Sequence, residues 1–186
     1  MGREVSGPEY LETRLTGFLG QFFTALGVPW EAREVLPGRS NVLARFDSPA
    51  ARTTLLLDAH QDTVPVDGMV IPPFEPTIRD GRLYGRGSCD VKGGMAAMLT
   101  TFARLVRERP AGAANVVMSC TCDEEATAQG VKALAGLWSG AERPSPLLPT
   151  PPDLALVAEP TGLNIIVAHK GAVRWKLRTR EIGRAH

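Results

Sequence analysis

Between Glu9 and Leu26, apolar side chains recur at Leu11, Leu15, Phe18, Leu19, Phe22 and Leu26, the three-and-four spacing of one helical face. Ser6 and Glu9 have the spacing of a capping box, and Gly27 followed by Pro29 supplies a stop, so a helix is predicted up to Leu26. The period then shortens. Asn41 to Phe46 reads as a short strand, and Thr53 to Leu57 as a buried strand running into Asp58, Ala59 and His60. Val64 to Gly87 is broken by Pro65, Gly68, Pro72, Pro73, Pro76, Gly81 and Gly85 and reads as loop. Lys92 to Arg107 is predicted as a helix with Met95, Met98, Leu99, Phe102, Leu105 and Val106 inward. Asn115 to Thr121 reads as a strand, Gly130 to Trp138 as a short helix and Ser139 to Pro152 as a proline-rich loop. Leu154 to Val157 reads as a third buried strand. Leu163 to His169 and Ala172 to Arg180 read as two more around Lys170-Gly171. Strands alternating with helices predict an α/β fold, a sheet with helices packed on it.

Composition narrows the class. The 186 residues carry 21 Lys+Arg against 20 Asp+Glu, a net charge of +1, which argues against a nucleic-acid surface built on bulk charge. No uncharged apolar run approaches the ~18 residues of a membrane span, and Met1 to Val5 is no signal-peptide core, so no membrane partner is expected. Three cysteines, Cys89, Cys120 and Cys122, are an odd number that favours free thiols, a reducing compartment and a cytoplasmic location. All three are expected to be small buried hydrophobes.

The candidate chemistry lies where predicted strands stop. One ends in His60-Gln61-Asp62, one in Asp123-Glu124-Glu125 and one before Glu159; Asp90 lies in the glycine-rich approach to a helix. Ligands of open α/β sheets bind at the carboxyl ends of strands, so these distant residues can share one crevice. Singly, each has an ordinary reading: a strand-end His, a helix-capping Asp90, solvated paired acids, a turn Glu159 before Pro160. Jointly, one imidazole and several carboxylates suit Zn2+, Mn2+ or Co2+, and so many acids make room for two ions bridged by a carboxylate.

His60-Gln61-Asp62-Thr63-Val64-Pro65, the block from Gly81-Arg82-Leu83-Tyr84-Gly85-Arg86-Gly87 through Asp90-Val91-Lys92-Gly93-Gly94, then Asp123-Glu124-Glu125 and Glu159-Pro160-Thr161 follow in order. Together they resemble the co-catalytic zinc metallopeptidase family of acetylornithine deacetylase, succinyl-diaminopimelate desuccinylase, aminoacylase and glutamate carboxypeptidase, over Asn41 to Arg180. The resemblance implies a zinc-exopeptidase-like catalytic domain with a mixed central sheet flanked by helices, and the start of an α+β lid. It implies two divalent ions, Zn2+ first and Co2+ or Mn2+ as alternatives. His60 and Glu159 would bind one ion, Glu125 the other, and Asp90 both. Asp62 would orient His60, and Glu124 would be the general base. A carboxylate free of metal beside one that binds it is what a base near a metal-bound water requires.

The resemblance further implies hydrolysis of the amide of a small N-acyl amino acid or dipeptide-like substrate, with metal-bound hydroxide as nucleophile, in a full-length homodimer joined through its lid. Two departures stand out. Ala126 replaces a glycine common after the Asp-Glu-Glu run, and the chain is shorter than family members, without the returning half and the late His of the second metal site. Residues 1–170 are therefore expected to be the amino-terminal part of the catalytic domain and 171–186 the first strand of the lid. Residues 181–186 are expected to be a non-native tail, since they can be encoded by GAG ATC GGA AGA GCA CAC, which contains the start of a sequencing adapter. The competing readings are a non-catalytic metal-binding fragment and, against the retained Glu124, a substrate-binding relative that has lost hydrolysis.

Overall fold

The computed structural model describes residues 11–168, 171, 177 and 178. Its elements in chain order are α1 (Thr13–Leu26), β1 (Trp30–Leu36), β2 (Arg39–Phe46), β3 (Thr54–His60), β4 (Thr77–Arg79), β5 (Arg82–Tyr84), α2 (Lys92–Glu108), β6 (Asn115–Thr121), α3 (Gln129–Ser139) and β7 (Leu154–Val157). Five strands form one mixed sheet in the order β1-β2-β6-β3-β7. The β1-β2 and β2-β6 pairs are antiparallel, while β6-β3 and β3-β7 are parallel. β4 and β5 make a separate small hairpin.

Side chains alternate across the strands, so each sheet face builds its own core. Val42, Ala44 and Phe46 of β2, Leu57 and Ala59 of β3, and Val116 and Met118 of β6 meet Leu19 and Phe23 of α1 and Met95, Leu99 and Phe102 of α2. On the opposite face Leu43, Leu56 and Val117 meet Leu134 and Leu137 of α3 and Leu147 and Leu148 of the proline-rich loop. Phe23 packs edge-on against Phe102 with ring centroids 5.8 Å apart.

Most predicted elements stand where the periodicity places them, with informative exceptions. The buried stripe of α1 is Leu19, Gly20 and Phe23, whereas Phe18 is 55% exposed; the sheet meets the helix on the i, i+4 row through residue 19. β1 escapes a reading by alternation because Glu31, Arg33 and Glu34 make it a charged strand at the sheet's edge, with a register shift between Glu34 and Leu36. The loop over Val64 to Gly87 contains the β4-β5 hairpin. β7 occupies its predicted place but is exposed, with Leu154, Leu156 and Val157 all more than half accessible, because among the described residues it pairs with β3 alone. Residues 163–168 form no strand: no described residue offers them a ladder partner. Ser6, Glu9, His169 and, except for Leu177 and Arg178, the predicted strand Ala172 to Arg180 lie outside the described residues, as do residues 181–186.

Asn41 stitches the layers together. Its amide donates to the Gly130 carbonyl at 2.8 Å and accepts from the Cys122 N–H at 3.0 Å. A Cβ on Gly130 would lie 2.1 Å from the Cys122 carbonyl oxygen and 2.7 Å from Asn41 Oδ1. Gly130→Ala is expected to destabilise the chain by ~1–3 kcal/mol or more, since backbone blocks relaxation. Gly17→Ala, on the exposed side of α1 with nothing within 4 Å, is expected to stabilise it by ~0.5–1 kcal/mol. Thermal unfolding of the two variants should move in opposite directions.

Candidate metal centre

Because β3, β6 and β7 are parallel, their carboxyl ends share one edge of the sheet. His60 closes β3 opposite Thr121, the last residue of β6, and Glu159 follows β7 by two residues. Asp90 arrives from the turn before α2. Val91, not Asp90, is the N-cap residue of that helix, and no side chain caps it, so the ordinary capping role does not account for Asp90. A Cβ on Gly93 would lie 2.5 Å from the Ser88 carbonyl oxygen, and one on Gly94 2.8 Å from Ala158 Cβ. The glycines thus let the start of α2 lie against both its preceding turn and the residue before Glu159. Lys92 ties the same turn to β3, its ammonium donating to the Gln61 carbonyl at 2.6 Å.

His60 is 2% exposed. Its Nδ1 lies 3.0 Å from the Asp62 carbonyl oxygen; a carbonyl only accepts, so Nδ1 carries the proton. Nε2 faces Asp90 Oδ1 at 3.0 Å and Glu159 Oε1 at 3.8 Å. Ligand atoms of His60, Asp90 and Glu125 lie within 4.8 Å of one another. The ring is thus oriented mainly by the main chain of residue 62, and the Asp62 carboxylate stands back at 3.6 Å from Nδ1. That carboxylate instead grips the loop after β6. Its Oδ1 accepts the Glu124 N–H at 3.0 Å and its Oδ2 the Glu125 N–H at 3.1 Å. Glu124 is exposed and Glu125 half-buried.

The electrostatics sort these groups. Burial alone would lower the His60 pKa, but the Asp62 and Asp90 carboxylates outweigh it and raise it to about 9. Glu125 is raised by burial and by the charge of Asp90. Glu159 is raised by burial, opposed by His60 and reinforced by Asp90. Burial would raise Asp62 too, but His60 and the Glu124 and Glu125 N–H groups hold it below the usual carboxylate range. Beneath His60, burial pushes the Asp58 carboxyl up to about 6.

These residues fit a divalent cation. One imidazole nitrogen and three carboxylates are the donor set of Zn2+, Co2+ or Mn2+. Tetrahedral ligands at ~2.0–2.2 Å from an ion stand ~3.3–3.6 Å apart, and the 3.0 and 3.8 Å separations around Nε2 bracket that edge. Cys89, expected to be buried, is exposed; Cys120 and Cys122 are buried, and burial drives both thiols upward, Cys122 to about 11. Sequence reasoning passed over Arg39 and Glu12, which touch Asp123 beneath the site; no short motif marks partners 84 and 111 residues away.

A profile described as peptidase family M20/M25/M40 matches residues 56–180, a span that begins inside β3 and includes all six candidate residues. The chain belongs to peptidase family M20/M25/M40. A succinyl-diaminopimelate desuccinylase from Azoarcus sp. (strain BH72) is 40% identical over 134 residues, 69% of this chain and 33% of the relative, so the chain spans about a third of that protein's length. An M20 family metallo-carboxypeptidase from Sulfolobus solfataricus superposes with a TM-score of 0.52 at 28% identity, over 60% of this chain and 25% of the other. Human carnosine dipeptidase 1 superposes with a TM-score of 0.63 over 80% of this chain and 32% of the other; at 21% identity it speaks for the M20 fold alone.

Between its ordinary value of 6.5 and about 9, the folded protein holds a proton on His60 that the unfolded chain has lost. Stability from this group is full below pH 6.5 and is lost as pH rises through about 9. In the presence of a chelator, the unfolding midpoint is expected to fall across this window. Saturating Zn2+ should raise it most at the alkaline end, where no proton competes for the ring. A midpoint that climbs with pH in chelator would show that His60 is not held protonated.

Proposed function

We propose that this M20 chain is the amino-terminal part of a metal-dependent amide hydrolase, cleaving a small N-acyl amino acid or dipeptide-like substrate. The observation that carries the reading is the convergence of His60, Asp90, Glu125 and Glu159 beside a loop whose Glu124 is held by the Asp62 carboxylate. His60, Asp90 and Glu159 would hold one Zn2+, and Asp90 and Glu125 would share in a second; Co2+ or Mn2+ suits the same donors. Bound there, such ions lower the pKa of a water and polarise the acyl oxygen. Glu124 takes the proton of the attacking water and delivers it to the leaving nitrogen, so that the amide C–N bond breaks to a carboxylate and a free amine. The protonated Nδ1 of His60, held by the Asp62 carbonyl, keeps Nε2 turned toward Asp90 and Glu159.

The desuccinylase relative is named for removing an acyl group from an amino acid, and the Sulfolobus relative for cleaving peptides; hydrolysis of an amide bond is the common ground. We read residues 1–170 as part of the catalytic domain and 171–186 as the start of a lid through which the whole protein dimerises. The exposed apolar side chains of β7 support further chain packing there. A cytoplasmic location is supported by the free cysteines, and no described helix is long and apolar enough to cross a membrane. The near-neutral charge supports no nucleic-acid partner.

One observation favours a second reading, a non-catalytic metal-binding fragment: among the described residues only Asp90 and Glu125 are assigned to the second ion. The isolated 186-residue chain is accordingly expected to bind one Zn2+ weakly and to turn over no N-acyl amino acid. In the full-length protein, Glu124→Gln is expected to lower kcat by ~10²–10⁴-fold while the metal content stays unchanged. Assays on a panel of N-acetyl and N-succinyl amino acids check this, and near-normal turnover would refute the base assignment.

A further inference from the structure

We propose that Arg39 is a positioning residue for Glu124 and Glu125, acting through the two carboxylates that grip their loop. Its functional consequence rests on the roles given to those residues above.

After β6, three consecutive main-chain N–H groups point at two carboxylates. The Asp123 N–H donates to Glu12 Oε1 at 3.2 Å, and the Glu124 and Glu125 N–H groups donate to the two oxygens of Asp62. The chain turns there because Asp123 lies in the left-handed region at φ 60°, a conformation that a non-glycine residue keeps only where its surroundings impose it. The surroundings converge on one guanidinium. Arg39 Nε donates to both Glu12 oxygens at 3.0 and 2.9 Å, Nη1 donates to Asp123, and Nη2 donates to Glu12 Oε1 while standing 3.7 Å from Asp62 as an ion pair. Asp123 also receives the Thr127 hydroxyl and the Gln129 N–H.

Arg39 thus joins carboxylates from the start of α1, the end of β3 and the end of β6. The Glu12 and Asp123 side chains are each 3% exposed. Three acids this close repel unless a cation lies among them, and the planar, permanently charged fork of arginine reaches all three at once where a lysine ammonium is a single point. Glu12 sits at the N-cap of α1 and makes no capping hydrogen bond to its own helix; its side chain serves this junction instead. Asp90 and Glu159 lie on other segments, and His60 is set by the main-chain carbonyl of residue 62 rather than by its carboxylate, so losing Arg39 should release the Glu124-Glu125 loop and leave those three in place.

The test is Arg39→Met and Arg39→Lys in the full-length protein. Amide exchange of the Glu124 and Glu125 N–H groups, followed by NMR against the Val117 N–H in the middle of β6, reads the grip itself and needs no metal. In Arg39→Met, both should exchange at least tenfold faster while Val117 is unchanged, with Arg39→Lys in between. Co2+ titration should then show the second ion weakened at least tenfold and the first retained, with kcat falling more than KM rises. Because Arg39→Met leaves Glu12 buried without its partner, Arg39→Met/Glu12→Gln is run beside it to recover folding. If the double variant regains stability and the exchange stays fast, positioning is upheld. Unchanged exchange at Glu124 and Glu125, or acceleration equal to that of Val117, would overturn the proposal. Fast exchange with unaltered ion binding and turnover would uphold the grip and overturn instead the roles assigned to Glu124 and Glu125.

Discussion

The Asp62 carboxylate sits just past the paired ends of the parallel strands β3 and β6, and the site depends on its position. Its two oxygens accept successive N–H groups from Glu124 and Glu125, while the carbonyl of the same residue sets the His60 ring. One residue thereby fixes the loop after β6 against the end of β3. That is possible because the β3-β6 register pairs His60 with Thr121, so both chains leave the sheet at the same height. A slip of one residue would turn His60 to the opposite face and take Asp62 away from the loop it holds.

The acids around the centre divide by what surrounds them. Burial pushes Asp62, Glu125 and Glu159 upward alike; at Asp62 His60 and the N–H donors overturn that push, while at Glu125 and Glu159 it stands and the charges of Asp90 and Glu124 add to it. The first is an acid that holds structure together. The others form a crowd of like charge whose natural complement is a cation, and the raised His60 registers the same field. The Arg39 junction is the same problem solved inside the protein: buried acids are gathered and a guanidinium lies among them.

Much of the framework was legible from local pattern. β6 and β7 begin and end where apolar runs and flanking polar residues put them, and α2 begins at the predicted Lys92 with Met95, Met98, Leu99 and Phe102 buried. β6 and α2 are apolar enough for burial to select one conformation, while the exposed β7 is held by its ladder with β3. β1 was missed because an exposed edge strand carries charges that erase the signal. The apolar run from Leu163 to Val167 reads as a strand by composition and is none, since β structure requires a neighbouring ladder that no local sequence supplies.

The motifs determined by themselves which side chains could hold a cation. A histidine and three acids, His60, Asp90, Glu125 and Glu159, have that chemistry wherever the chain takes them, because donor type and proton affinity belong to the residues. Tertiary structure decided which atoms do what. The Asp62 carbonyl rather than its carboxylate makes the closer contact with His60, Asp90 is left uncommitted by its helix, and Glu12 reaches across 111 residues to the loop that Arg39 braces. Such contacts carry no periodicity. They follow from the register of parallel strands, which brings distant segments to one edge and leaves hydrogen-bond geometry to select among the polar atoms gathered there.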